Sequence, residues 1–350
     1  AVAALKASGL EHIIAGSNAV ATSQFALHDP MQSVMLQVPE GYALSRKLLD
    51  AAIVQAAIRS GAQFLPSTVA SVRQSTENAA TVRLKSGEKE FDCHASIVVV
   101  ADGLNGRALA DNDEFDFTVE PQSKFGAGVI IKEQVSAIAP GIIYMACTND
   151  GYVGMVRMQE EQINVAAALR TGFSRRAGSA GQAAASILQS CRLPVPRSLT
   201  QTVWHGTELL TRTRKKVSGQ RIFVIGDASG YAEPITGEGM SWAMWSALSI
   251  FEFVMEGTSK WTSELGMRWQ SIHNNVIRKR QQKTKLIASA IGNPILRSIA
   301  LCFLRISPAI ADPYLKGLRQ DSVRSEFEHM HLPGTSHGAL RTEESCQRTF

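Results

Sequence analysis

The chain has 350 residues, of which 45% are hydrophobic and 19% are charged, so it is large enough to fold around its own core without disulfides or a structural metal. The net charge is only +5, and the six basic residues within 268–285, with no acid among them, account for the whole surplus, which excludes a globally basic nucleic-acid-binding protein. Five scattered cysteines form no C-x-x-C pair, which argues against a zinc site and a dithiol redox centre.

The first predicted element is an amphipathic helix over residues 45–60, whose apolar residues recur at steps of three and four. Ser45 is a suitable N-cap, and Gly61 stands where a C-terminal glycine belongs. Alternation and flanking turns then predict three strands, the last two of which form a hairpin around Ser86 and Gly87: residues 63–70, 81–84 and 91–93.

Two runs rich in β-branched residues, 97–100 and 221–225, are typical of strands that are buried on both faces. Each run ends in a loop that contains an acid and a glycine. Between the two runs, short strands separated by turns indicate an antiparallel sheet inserted between parallel strands: residues 125–131, 141–147, 152–158 and 162–169. From Gly237 onward the pattern is helical almost to residue 318.

The strongest functional signal is the stretch 222–240, which reads IFVIGDASGYAEPITGEGM. Asp227, at the end of a buried strand, can accept hydrogen bonds from the hydroxyls of a sugar or polyol. Pro234 stiffens the following loop, and Gly237 and Gly239 allow the backbone to approach a ligand closely. The free N–H groups at the start of the next helix favour negative charge.

This stretch resembles the second flavin-binding motif of FAD-dependent oxidoreductases with the para-hydroxybenzoate-hydroxylase fold, and it is most similar to the geranylgeranyl-reductase-like branch. The resemblance implies that Asp227, which follows Gly226 and precedes Pro234, binds the ribityl chain of FAD. It also implies that the helix start lines the pyrimidine side of the isoalloxazine through four consecutive residues: Gly237, Glu238, Gly239 and Met240.

Two further stretches resemble the same family. VVVADGLNGR, at residues 98–107, is similar to the family's A-D-G motif, which helps to hold the dinucleotide, with Asp102 and Gly103 at the matching positions. SRKLLD, at residues 45–50, is similar to the start of the helix whose arginine reaches the FAD phosphates, and Arg46 is the candidate because a guanidinium suits a pyrophosphate.

One family motif is absent from the sequence, namely the G-x-G-x-x-G fingerprint that cradles the pyrophosphate on the first strand. Residues 1–12 resemble a later segment of the family, a helix that ends at a glycine. We therefore expect a chain that is truncated by several tens of residues relative to its relatives. We also expect the strand at 97–100 to be left with an exposed edge.

The predicted fold class is α/β: a Rossmann-like parallel layer with an inserted antiparallel substrate sheet and a helical C-terminus. In open α/β sheets, ligands bind at the carboxyl ends of the strands, which is where both acid-glycine loops fall. The predicted FAD-binding domain has two parts, residues 1–120 and 211–257, and a substrate-type sheet domain at 121–210 lies between them. C-terminal helices are predicted at 258–325 and a flexible tail at 326–350.

The resemblance implies an FAD-dependent oxidoreductase, of the monooxygenase or double-bond reductase type, that acts on a small apolar organic substrate with flavin reduced by NAD(P)H. Residues 151–157 lack the tryptophan and the proline of the aromatic-rich segment found in geranylgeranyl reductases, so a prenyl lipid is only one possible substrate. The choice between hydroxylation and reduction stays open. No catalytic side chain and no metal site is predicted. The alternative is a truncated, catalytically silent relative that acts as a binding or structural protein.

The basic stretch 268–285 has two interpretations, a solvated helix face or a patch that is drawn to anionic lipid. The apolar stretch 286–306 is interrupted by polar residues, which favours a buried helical hairpin or a helix that lies on a membrane surface. With scattered cysteines and no secretory signal, we expect a cytoplasmic protein, peripheral to a membrane under the second interpretation. No nucleic acid is expected among its partners.

Overall fold

The computed structural model describes residues 1–313 and residue 315. A π-helical segment, Asn274–Arg278, joins the helices Ser263–His273 and Lys279–Gly292 end to end. The α-helices of the described residues are α1 (Val2–Ala7), α2 (His12–Ala15), α3 (Arg46–Arg59), α4 (Thr171–Ala177), α5 (Ala180–Ser190), α6 (Gly239–Ser259), α7 (Ser263–His273), α8 (Lys279–Gly292) and α9 (Pro294–Ile306).

The strands of the described residues form one seven-stranded sheet and three sheets of three strands. They are β1 (Val20–His28), β2 (Ser33–Ala43), β3 (Val69–Ser75), β4 (Ala80–Ser86), β5 (Lys89–Ala95), β6 (Val98–Val100), β7 (Phe117–Val119), β8 (Phe125–Lys132), β9 (Ile142–Cys147), β10 (Gly151–Arg157), β11 (Gln162–Leu169), β12 (His205–Leu209), β13 (Arg212–Arg214), β14 (Ser218–Gly219), β15 (Ile222–Val224) and β16 (Gly230–Tyr231). The predicted α/β class is confirmed, with C-terminal helices packed beside the sheets.

Strands β6 and β15 pair in parallel, as the sequence predicts, and Ile225 extends the ladder by donating its N–H to the carbonyl of Val100 at 3.0 Å. All of β15 is buried, which confirms the prediction for 221–225. For 97–100 the prediction of burial on both faces is wrong, because one face of β6 is partly uncovered and Val99 is 38% exposed. The expected exposed edge is present, since the only neighbour of β6 among the described residues is β15.

The large sheet has the order β12-β8-β11-β10-β9-β1-β2 and contains the four predicted strands as antiparallel neighbours. It is nevertheless a mixed sheet, because β1 pairs with β9 in parallel. Strands β1 and β2 come from residues outside the predicted 121–210 block. Pro39 and Gly41 interrupt the alternation of β2, which hides this strand in the sequence. The division into domains stays a prediction.

Two local predictions need correction. The strand predicted at 63–70 begins only at Val69, because Pro66 has no N–H to donate to a ladder and Ser67 has a left-handed φ of 52°. The helix predicted at 45–60 is present as α3, but only Leu49 on it is buried, because α3 packs through one narrow stripe on α1 and α2 and leaves Leu48 exposed. The hairpin of β4 and β5 is confirmed.

The helical C-terminus is confirmed over the described residues, whereas the predicted tail at 326–350 lies outside them. Helix α7 packs under the parallel pair, where the Trp269 indole donates to the carbonyl of Val224 at 3.2 Å. Among the described residues, no single helix combines the length and hydropathy needed to cross a bilayer. One pair passes that test jointly, Ser263–Gly292 with Pro294–Ile306, and it is bent by 99°.

Candidate functional site

The two acid-glycine loops leave the sheet at the same edge. Val100 is the register partner of Val224 in the parallel pair. Asp102 follows the end of β6 by two residues, and Asp227 follows the end of β15 by three. Because parallel strands end at a common edge, this arrangement brings the two predicted motifs together, at the place where open α/β sheets bind ligands.

Asp227 lies in the 3-10 turn Gly226–Ser229 directly after β15. The N–H of Gly226 donates to Oγ of Ser246 on α6 at 3.2 Å, which holds this loop against the helix. Burial raises the pKa of the Asp227 carboxyl to about 6, and the charge of Arg46 opposes that rise. No described residue donates a hydrogen bond to this carboxylate, so its acceptor capacity is available to a ligand.

Arg46 is placed near Asp227 by the start of α3, since its charge acts on the Asp227 carboxyl. Its Nε lies 3.2 Å from Oδ1 of Asp50, one turn further along the helix. Both side chains of this ion pair are exposed, so the pair adds little stability and leaves the guanidinium accessible. The structure therefore brings Arg46 to the same side of the molecule as the Asp227 loop.

Asp102 closes its own loop. Its Oδ2 accepts the backbone N–H of Ala108 at 2.7 Å, so part of its acceptor capacity serves the turn that contains Gly103. Asp102 is exposed, which leaves its second oxygen facing solvent. The structure thus gives this residue a local structural role in addition to the predicted one.

A buried arginine, Arg214, joins the two loops and was missed by sequence reasoning. Its Nε donates to the carbonyl of Ala228 in the second loop at 2.6 Å, and its Nη2 donates to the carbonyl of Gly106 in the first at 3.3 Å. The guanidinium stacks on Phe117 at 3.9 Å, and burial lowers its pKa to about 10. Nothing in its neighbouring sequence marks this residue.

The predicted helix start is present as the beginning of α6. The 3-10 turn Pro234–Thr236 ends at Gly237, which has a φ of 69°, and a Cβ placed on Gly237 would meet no atom within 4 Å. Glu238 is the N-cap residue, Gly239 begins the helix, and Met240 is partly exposed. The helix therefore presents free N–H groups at an open position next to the Asp227 loop.

A cavity of about 710 Å³ adjoins this loop. It lies between one end of the large sheet and the corner where α8 meets α9, and its polar lining includes Ser123, Lys124, Asn149, Arg170, Thr211, Glu233 and Lys285. Nζ of Lys124 lies 2.7 and 2.9 Å from the two carboxylate oxygens of Glu233, in a buried ion pair. Glu233 immediately precedes Pro234, so the cavity and the predicted motif share one loop. Sequence reasoning missed Lys124 and Glu233 because 109 residues separate them.

Three of the six cations in the basic stretch 268–285 are paired with acids from other elements. The pairs are Arg268 with Glu256 at 3.2 Å, Arg280 with Glu238 at 3.5 Å and Lys285 with Glu120 at 2.9 Å. Part of the stretch therefore holds α7 and α8 against the rest of the protein. Lys279 and Lys283 remain exposed on α8.

A family model described as an FAD binding domain matches residues 2–258. Digeranylgeranylglycerophospholipid reductase 2 of Methanosphaera stadtmanae is 25% identical over 224 residues, which are 62% of this chain and 56% of the reductase. The aligned region thus spans about half the length of this curated relative.

Two solved structures show the same fold at low sequence identity. A triple mutant of the flavin-dependent brominase Bmp2 superposes with a TM-score of 0.71 at 12% identity, covering 93% of this chain and 82% of the brominase. The p-nitrophenol 4-monooxygenase PnpA from Pseudomonas putida gives a TM-score of 0.68 at 14% identity, covering 94% of this chain and 85% of PnpA.

Proposed function

Since this chain belongs to the FAD binding domain family over residues 2–258, we propose that it is an FAD-dependent oxidoreductase acting on an apolar organic molecule, with flavin reduced by NAD(P)H. The observation that carries the proposal is the carboxylate of Asp227. It is partly buried, has a raised pKa, receives no hydrogen bond from a described residue and lies beside the start of a 21-residue helix.

The residues present fit the flavin end of FAD. Asp227 would accept hydrogen bonds from the ribityl hydroxyls, and the open position at Gly237 would let the isoalloxazine approach the N–H groups of α6. Arg46 would hold the pyrophosphate, although the sequence has no G-x-G-x-x-G loop to assist it. The bound cofactor would supply the redox chemistry, and the chain would supply position and electrostatics.

We place the substrate in the cavity beside Glu233. Its walls combine apolar groups, such as Pro294 and Ala288, with the cations Arg170 and Lys285. This mixture suits an apolar molecule that carries a polar or anionic group. The similarity to a phospholipid reductase supports the same class of substrate. Reduction of a double bond and hydroxylation are both compatible with this arrangement.

FAD titration of the purified chain tests the cofactor site. Asp227→Ala removes the acceptor for the ribityl hydroxyls, and we expect it to weaken FAD binding about tenfold to a hundredfold, which corresponds to one or two charge-assisted hydrogen bonds. Glu208→Ala is the control, because Glu208 is an exposed acid on β12, outside the site. Flavin fluorescence quenching measures both affinities.

Equal FAD affinity in the two variants would remove Asp227 from the site. Protein that binds no FAD at all would favour the second candidate, a catalytically silent relative. The open edge of β6 and the missing phosphate fingerprint are the observations behind that candidate. The electron donor is tested separately, by anaerobic bleaching of the bound flavin with NADH or NADPH. Failure of both to bleach it would refute the proposed donor.

A further inference from the structure

Helix α9 has apolar residues on its outer face as well as on its buried face, where Leu301 lies. Ile295, Ile299, Phe303 and Ile306 recur at steps of four, four and three, which places them on one stripe, and they are between 48% and 76% exposed. On the buried side, Arg297 lies 3.6 Å from Asp29 and donates to the carbonyl of Ile291 at 2.7 Å. The outer face of a helix in an ordinary globular protein is polar instead.

The apolar stripe continues onto a neighbouring turn. The side-chain amide of Gln32, between β1 and β2, donates to the carbonyl of Ser298 on α9 at 2.8 Å. The adjacent residue, Met31, is 77% exposed. We call these residues the α9 surface: Met31, Ile295, Ile299, Phe303 and Ile306. An exposed apolar patch drawn from two elements marks an interaction site.

The charge around the α9 surface is positive. Residues 279–313 contain six basic residues and one acid, Asp312. Three of the six are already paired with acids inside the protein, namely Arg280, Lys285 and Arg297. Arg305, in the last turn of α9, is exposed between Phe303 and Ile306, and Lys279 and Lys283 are exposed on α8. An exposed apolar stripe that carries a cation is typical of helices that lie in the interface of an anionic membrane.

We propose that the α9 surface lies against a bilayer that contains anionic lipid. A second copy of the chain would also cover apolar side chains, but it would offer few acids to Arg305 and the exposed lysines, because residues 279–313 contain only one acid, Asp312. Anionic lipid covers the apolar stripe and neutralises those cations at the same time. This contact does not depend on the flavin chemistry.

The position of the cavity is consistent with this orientation. Gly292, Asn293 and Pro294 line the cavity at the corner between α8 and α9, and Ile295 of the α9 surface follows directly. The cavity wall and the apolar stripe thus meet at consecutive residues. If the substrate is a lipid, which rests on the proposed function, it would pass from the bilayer to the cavity along this corner.

Vesicle sedimentation tests the proposal. The full chain is mixed with vesicles of phosphatidylcholine, with or without phosphatidylglycerol, at low and high salt. We expect binding to vesicles that contain phosphatidylglycerol and weaker binding at high salt. Ile299→Ser/Phe303→Ser should reduce the partition coefficient at least about tenfold, because it removes two apolar anchors from the bilayer.

The matched control is Phe251→Ser/Met255→Ser, which changes two residues at the same spacing on α6 that are 61% and 56% exposed. This control should bind vesicles like the unaltered chain. Circular dichroism and FAD titration show whether each variant is folded and whether the flavin site is intact, so a failure of membrane binding is separable from a failure of the proposed function. Equal vesicle binding by both variants would overturn the proposal. So would a chain that ignores anionic vesicles, or a dimer that only Ile299→Ser/Phe303→Ser dissociates.

Discussion

At the level of single residues, the site combines groups that are costly to bury. Arg214 is buried to connect two loops through backbone carbonyls, and Asp227 is held partly buried without a donor. Hydrogen bonds within the protein offset the cost of burying Arg214, whereas no described hydrogen bond offsets the cost of burying Asp227. A residue that lowers the stability of the ligand-free protein and fits a ligand group is characteristic of a functional site.

The pH dependence of stability tests this view of Asp227. Burial raises its pKa from 3.8 to about 6, so the free energy of unfolding falls as pH rises through that window. Asp227→Asn has no proton to lose. We expect its free energy of unfolding to exceed that of the unaltered chain by up to about 3 kcal/mol at about pH 8, and by far less near pH 4. Urea denaturation without FAD measures the difference, and a difference that is constant with pH would contradict this account.

The buried ion pair of Lys124 and Glu233 makes a second prediction. Lys124→Met leaves the Glu233 carboxylate buried without its cation, so we expect the free energy of unfolding to fall by about 3–5 kcal/mol. The double variant Lys124→Met/Glu233→Met removes both charges and should lose less than the single variant. Urea denaturation of the three proteins measures this. A double variant that is less stable than Lys124→Met would contradict the prediction.

At the level of elements, the acid-glycine loops could be predicted because a local run of β-branched residues precedes each one. The exposed edge of β6 was expected because the sequence has no G-x-G-x-x-G strand to pair with it, and β6 is indeed an edge strand among the described residues. Strands β1 and β2 could not be placed, since β1 joins the sheet through β9, more than a hundred residues further along, and β2 joins it through β1. Lys124, Glu233 and Arg214 escaped prediction for the same reason, because their partners are distant in sequence.

The loop after β6 can be tested with a pair of glycines. Gly106 has a φ of 56° and Gly87 one of 62°, so alanine at either position costs about 1–2 kcal/mol of backbone strain. A Cβ at Gly87 meets open space, whereas one at Gly106 would overlap the Arg214 guanidinium and lie 2.6 Å from the Phe117 ring. We expect Gly106→Ala to lower the free energy of unfolding by about 1–3 kcal/mol more than Gly87→Ala. Equal losses in urea denaturation would show that this contact is unimportant.

At the level of the whole molecule, the open edge of β6 is a site for unwanted pairing. Its outer backbone groups are unpaired among the described residues, and Val99 is exposed beside them. Val99→Lys places a charge on this edge, which should reduce concentration-dependent association measured by light scattering. Val203→Lys, at an exposed loop position, is the control. The same scattering from both variants would mean that β6 does not drive association.

The π-helical segment Asn274–Arg278 sets how far α8 is rotated about the helix axis relative to α7. Before it, Trp269 packs beneath β15, and after it, Lys285 reaches Glu120 at the cavity. Each helical residue advances the azimuth by about 100°. Removing one residue from the segment would therefore rotate Lys285 away from Glu120 while Trp269 stayed in place. The wide turn thus lets one continuous helix contact both the parallel strand pair and the cavity.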